Sequence, residues 1–300
     1  SRILGGDPVD MFPYEWDAVP NGVTKEQYQP LDDYLDLSDD IWSDMSDVIE
    51  MFKYKDKHYV VPYCLSDPLL ITYNRSLCEE NGLDDPYELY KKDKWDWDAF
   101  MDMMKTFVSN AKDGETRYGI NGWFGQAMVQ STGETFVKYD GSKFSNNISN
   151  PAIEEAEGVM EEIMSLGLYD PTWYGYLPDD GSTLFFGMAD WALGASNVKA
   201  DPNPDYEDDG FVEENDLMIV PFPKQPGSDE YYLNCNFGAK MLVKNSDKGD
   251  AVAAYIKCER LAAMIDEYKD AAKEKAIIPE VNAQGKLKSY VTEEQYDALQ

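Results

Sequence analysis

Apolar residues recur at helical spacing in several stretches of the chain. In "WDWDAFMDMMKTFV", Trp97, Phe100, Met101, Met104, Phe107 and Val108 form one stripe. In "AIEEAEGVMEEIMSLG", Ile153, Ala156, Met160, Ile163 and Met164 do the same, and Gly167 supplies a C-terminal stop. "DAVAAYIKCERLAAMI" repeats the pattern through Ala251, Ala254, Tyr255, Cys258 and Leu261. Recurrence every three to four residues is the period of one buried helix face, so each stretch predicts a helix. "RSLCEENG" predicts a shorter one ending at Gly82. Between them, "YVVPY" (59–63), "LLITY" (69–73), "LMIVPF" (217–222) and "FGAKMLV" (237–243) read as strands. In the last of these, Phe237, Ala239, Met241 and Val243 share a face. Pro62 and Pro221 point to edges or strand ends, because proline cannot donate to a ladder. "KYDGSKF" reads as a hairpin turning at Asp-Gly. Strands alternating with helices of ten or more residues predict an α/β protein with helix-covered sheets.

Composition narrows the function. The chain has 300 residues, enough for two domains, and its 43% apolar content argues for folded structure. Net charge is −32, from 58 acids against 26 bases. Such a field repels phosphate backbones and anionic membranes, leaving neutral or cationic small ligands. No run is apolar enough to span a bilayer. The cysteines Cys64, Cys78, Cys235 and Cys258 are scattered without CxxC spacing, which excludes a zinc ribbon. Cys78 and Cys258 are expected as buried thiols on helix faces, and a Cys64–Cys235 bridge stays open. The single histidine, His58, lies in polar "KYKDKHY" and reads as a surface turn residue. "ADPNPDYEDDG" places Asp201, Asn203 and Asp205 at calcium-loop spacing, but Tyr206 stands where an EF-hand needs glycine, so the stretch reads as a loop. No phosphate-cradling loop, nucleophile elbow or metal motif occurs, and neither cofactor nor metal is expected.

The aromatic load is high, with 7 Trp, 21 Tyr and 12 Phe. In "INGWFGQAMVQSTG", Trp123 and Phe124 stand between glycines. They either plug a core or form a wall for a flat ligand, and composition leaves both readings open. Trp95 and Trp97 belong to the helix stripe and are expected in the core. "DPTWYGYLPDDG" puts Trp173, Tyr174 and Tyr176 on a loop, either extending a site or capping a lobe.

Over roughly residues 55–263 the chain resembles the bacterial extracellular solute-binding proteins of the maltose-binding-protein-like group. "KHYVVPYCLSDPLLITYNRSLCEENGL", "WDWDAFMDMMKTF", "STGETFVKYDGSKFSNNISNPAIEEAEGVMEEIMSLG" and "DLMIVPFPKQPGS" followed by "NFGAKMLVKNSDKGDAVAAYIKCERLA" carry the likeness by their order and spacing. "LFFGMADWALGAS" departs from the pattern, keeping Gly187, Met188, Ala189 and Trp191. The resemblance implies a two-lobe, type II periplasmic-binding-protein-like α/β fold with a ligand cleft between lobes that close by a hinge. Lobe 1 is expected from 1–67 plus 224–258 and lobe 2 from 68–223 plus 259–300, with crossings near 64–69 and 222–228. Lobe 1 reads as incomplete, and the chain as a segment of a longer exported protein.

The positions matching the group's cleft lining are Tyr14, Trp16 and Asp17, then Ser66 and Asp67, then Trp123 and Phe124, Trp191, and finally Asn234 and Asn236. Aromatic faces suit the C–H patches of a sugar, and Asp or Asn suits its paired hydroxyls. The resemblance favours stacking for at least one of Trp123 and Phe124. It implies a monomeric, non-enzymatic component of an ABC importer, extracellular, periplasmic or lipid-anchored at the cell surface, that binds an oligosaccharide and delivers it to a membrane permease. The alternatives are a cationic or peptide-like ligand, or a surface interaction module without transport. A glycosidase would also use carboxylates amid aromatics, but acids are too abundant here for a pair to single one out.

Overall fold

The computed structural model describes residues 9–15, 17–201 and 215–300. Trp16, Asn203 and Asp205 therefore lie outside the described residues. The elements used below are, in chain order, β1 (Met11–Pro13), β2 (Tyr28–Gln29), β3 (Val61–Ser66), β4 (Leu69–Asn74), α1 (Trp97–Ser109), β5 (Tyr118–Gly122), α2 (Gly125–Gln130), α3 (Pro151–Ser165), β6 (Thr183–Ala189), β7 (Leu217–Pro221), β8 (Asn236–Val243), α4 (Gly249–Met264) and α5 (Glu293–Leu299). Two compact units result: Ser1–Ser66 with Tyr139–Ser145 and Cys235–Ala272, and Asp67–Lys138 with Asn146–Asn234 and Lys273–Gln300. The chain leaves the first unit at 66/67, touches it again over Tyr139–Ser145, re-enters it at 234/235 and leaves it once more at 272/273.

Unit 1 is built on β8, which pairs antiparallel with β1, β2 and β3. Phe237, Ala239 and Met241 face one cluster with Ala18 and Val60, whereas Leu242 faces another with Leu31, Trp42, Ile49, Val61 and Ile256. Period-2 alternation thus buries both faces of the strand. Helix α4 forms where its periodicity predicts, but on a different face. Val252, Ala253, Ile256 and Arg260 are buried, while Ala251, Ala254, Tyr255, Cys258 and Leu261 are exposed. The cause is Arg260. Its Nε donates to the Ile41 carbonyl at 2.7 Å, and its Nη2 pairs with Asp44. A buried arginine with its donors satisfied interrupts the apolar pattern of the true stripe and hides it from periodicity.

His58 is buried rather than a surface turn residue. Its Nδ1 lies 2.8 Å from Asp32 and its Nε2 3.1 Å from Glu50, and its backbone N–H also donates to Asp32. These carboxylates lie 26 and 8 residues earlier, beyond the polar neighbours that suggested exposure.

Unit 2 carries a four-stranded sheet in the order β7-β4-β6-β5, antiparallel except for the parallel β6–β5 pair. Every residue of β6 is buried, as its continuous apolar run requires for a strand covered on both faces. Beside it packs α1, capped by the Asp96 side chain on the Ala99 N–H, with Trp97, Phe100, Met101, Met103, Met104 and Phe107 in the core. Trp95 is buried as well. Asn150 caps α3, which starts at Pro151 and ends ahead of Gly167 at φ +66°. It buries Ile153, Ala156 and Ile163 but leaves Met164 exposed. Pro221 closes β7, an edge strand. All four cysteines are free; Cys78 is buried and Cys258 exposed, so a helical position alone misjudges the second.

Candidate functional site

The strand directions of unit 2 gather chemistry at one end of its sheet. Strands β5 and β6 run parallel and finish together, Gly187 opposite Gly122, so Trp123 and the turn Asp190–Ala192 leave from the same end. Antiparallel β4 starts there, Leu69 opposite Ala189, which brings Asp67 and Pro68 to that end. Three backbone bonds tie the segments: Asp190 N–H to the Pro68 carbonyl at 3.2 Å, Trp123 N–H to Gly187 at 2.7 Å, and Leu69 N–H to Asn234 at 2.8 Å. Asp67, Trp123, Trp191 and Asn234 of the expected set therefore meet on unit 2.

Here the glycine-flanked aromatics separate. Gly122 sits at φ +92°, and a Cβ there would lie 2.2 Å from the Gly187 carbonyl oxygen, so only glycine lets β5 end against β6 and turn. The next residue, Trp123, projects outward and is 59% exposed. Phe124 turns inward at the start of α2, 7% exposed, its ring 5.4 Å from Tyr169. The pair is thus one exposed residue and one core residue. Phe124 packs into the main core cluster of unit 2 and also lines an open hollow at this end of the sheet.

The Trp123 indole has a neighbour that the sequence left undecided. Trp173, 55% exposed, lies with its ring centre 5.3 Å from that of Trp123 and its plane tilted by 32°. Trp191 is 56% exposed on the turn after β6. Tyr174 and Tyr176 pair with each other instead, 6.3 Å apart, with the Lys199 ammonium over Tyr176. An open hollow of about 430 Å³ is lined by Leu69, Gly122, Trp123, Phe124, Gly125, Gln126 and Tyr169, within the size range of small-ligand sites. One of about 470 Å³ on unit 1, lined by Asp32 to Leu37 and His58, offers Tyr34 as its only ring beside His58 and a crowd of carboxylates.

Electrostatics adds a residue missed in the sequence. Asp190 is half-buried, and burial, followed by the negative charge of Asp67, raises its carboxyl above the ordinary aspartate range. Its position just before Trp191 was the available signal. The Asn234 Nδ2 is buried with no protein partner among the described residues.

The remaining expected residues belong to unit 1. The Tyr14 ring is half-buried against Phe237 at 4.6 Å and Phe52 at 5.5 Å, and burial, then Asp17, raises its phenol. Asp17 is exposed and accepts from the Asn21 carboxamide. Ser66 and Asn236 are exposed register partners at the ends of β3 and β8. Among the described residues no group of three His, Cys, Asp or Glu side chains is placed to hold a metal ion, and no helix is long and apolar enough to cross a membrane.

Two α/β units with these sheets give a fold of the type II periplasmic-binding-protein class. The chain belongs to the bacterial extracellular solute-binding protein family, whose sequence model matches residues 1–258. Comparison with curated protein sequences finds no match. Solved structures with the same fold include the sugar-binding protein MalE from Xanthomonas citri, at 14% identity and TM-score 0.68, covering 90% of this chain and 66% of that one. The cyclic α-maltosyl-1,6-maltose binding protein from Arthrobacter globiformis matches at 16% identity and TM-score 0.62, over 89% and 66% of the two chains. The galacto-N-biose/lacto-N-biose I-binding protein of a Bifidobacterium longum ABC transporter gives 14% and 0.59, over 86% and 61%. The chain thus spans just under two thirds of the length of these proteins, and identities this low show the fold alone.

Proposed function

We propose that this protein is the substrate-binding component of an ABC importer, that it captures an oligosaccharide outside the cytoplasmic membrane, and that it hands the sugar to a membrane permease. The observation that carries the reading is the set of exposed indoles, Trp123, Trp173 and Trp191, gathered on one unit beside Asp67, Asp190 and Asn234. Indole faces remove sugar C–H patches from water, each contributing on the order of 1–3 kcal/mol by area burial. Carboxylates accept from adjacent hydroxyls, and the Asn234 amide donates. Two of the proteins of the same fold bind cyclic α-maltosyl-1,6-maltose and galacto-N-biose or lacto-N-biose I, which supports the ligand class without naming the sugar. Tyr14, Asp17, Ser66 and Asn236 are proposed as further contacts, on the resemblance of their positions.

Thermal melting against neutral oligosaccharides, polyamines and amino acids tests the proposal. A ligand at about 100 times its Kd stabilises by roughly 2.7 kcal/mol, a rise of several degrees. A neutral oligosaccharide is expected to raise the melting temperature, and Trp123→Ala to abolish the rise. A response to polyamines or amino acids alone would replace the sugar with a cationic or peptide-like ligand. A glycosidase would instead release reducing sugar during the incubation.

A further inference from the structure

Strand β5 contains one polar residue in its buried middle. Asn121 is 1% exposed, two positions before Trp123. Its Nδ2 donates to two carbonyls of the loop that carries Trp173, Asp170 at 2.9 Å and Thr172 at 2.6 Å. Two carbonyl oxygens can be met only by the donor end of the amide, which fixes its orientation. Oδ1 is left buried with no protein partner among the described residues. An unpaired buried acceptor is a standing penalty, so the residue is poorly explained as a core filler. An apolar side chain would fill the strand without that cost.

The surrounding bonds show what the amide adds. The loop is joined to β5 through the Asp170 N–H on the Ile120 carbonyl, and it turns through the Thr172 N–H on Asp170 Oδ1. The bond from Asn121 to Thr172 comes one residue before Trp173. A single strand therefore carries one indole of the pair and grips the loop that carries the other. We infer that Asn121 is the positioning residue of the binding face: its carboxamide holds Trp173 against Trp123, so that the two indoles meet the ligand as one preformed platform rather than as two loose rings. The inference rests on the reading of Trp123 as a ligand-contacting face. Preorganisation of this kind favours binding because the loop is not ordered at the ligand's expense.

The test needs no ligand, so its failure is separable from that of the sugar reading. Two indoles this close couple their transitions, giving a far-ultraviolet circular dichroism couplet. Trp123→Phe, Trp173→Phe and the double variant isolate it by non-additivity. The couplet is expected in the parent protein and lost in Asn121→Ala while a cooperative melt remains. Because alanine is a poor strand residue, Asn121→Thr, which removes the amide but suits a strand, serves as the second variant and is expected to lose the couplet too. A couplet surviving in either folded variant would overturn the inference, as would no couplet in the parent. Failure of both variants to melt cooperatively would also overturn it, since Asn121 would then support the whole unit rather than the pair.

Discussion

Gly122→Ala strikes the point at which sheet and site join. The added methyl would lie 2.2 Å from the Gly187 oxygen and 3.1 Å from its carbonyl carbon, both backbone atoms that cannot rotate away. Holding a non-glycine residue at φ +92° costs about 1–2 kcal/mol. Relieving the contact separates the ends of β5 and β6 and breaks the 2.7 Å Trp123–Gly187 bond, about 1 kcal/mol more. The sum is about 2–3 kcal/mol, or a fall in melting temperature of roughly 4–12 °C at about 2–4 °C per kcal/mol. Gly82→Ala is the control. It also has positive φ, +68°, but its Cβ would meet nothing within 4 Å, so it bears the backbone cost alone. Calorimetric melting of both variants beside the parent reads the difference. Equal shifts would refute the steric argument, and a Gly122→Ala shift under about 2 °C would refute both terms.

Other consequences follow from the same contacts. Removing the Trp97 side chain, which is buried and donates from Nε1 to Ser131 at 3.1 Å, should cost about 3–5 kcal/mol by chemical denaturation, whereas Trp191→Ala should cost under about 1 kcal/mol. Burial pushes the Asp32 carboxyl up, but the His58 hydrogen bonds and charge outweigh it, and the Arg260 hydrogen bond lowers Asp44; both sit below the ordinary range. Depressed carboxyls stabilise the fold above the unfolded value near about 4 and lose that contribution as pH falls through the folded value, so melting temperature should drop with acid there and the drop should flatten in Asp32→Asn. A maleimide should label Cys258 fast and leave Cys78 untouched until denaturant is added, because burial, then Asp85 and Asp216, push the Cys78 thiol up to about 12.

The sequence exposed most where burial writes a simple period. The stripe of α1, the alternation of β8 and the unbroken run of β6 each announce their element, since apolar side chains alone fill those faces. It misled wherever a polar group is buried with distant partners. Arg260 masked the true face of α4, and His58 passed for a surface residue because Asp32 and Glu50 lie elsewhere in the chain. Of the expected site residues, Trp123, Trp191 and Asp67 come to one end of the unit 2 sheet, whereas residue type alone left open which of Trp123 and Phe124 faces out, and Asp190 was overlooked. What places Trp173 beside Trp123 is a loop held across 51 residues by Asn121, and no local pattern records such a bond.

The exposed indoles of unit 2 are proposed as a sugar-binding face. Tryptophan fluorescence titrated with neutral oligosaccharides tests it most directly. A saturable change in emission is expected with one class of sugar, largely lost in Trp123→Phe because the reporting ring is also a contact. A saturable change that persists undiminished in both Trp123→Phe and Trp173→Phe would place the ligand elsewhere and contradict it.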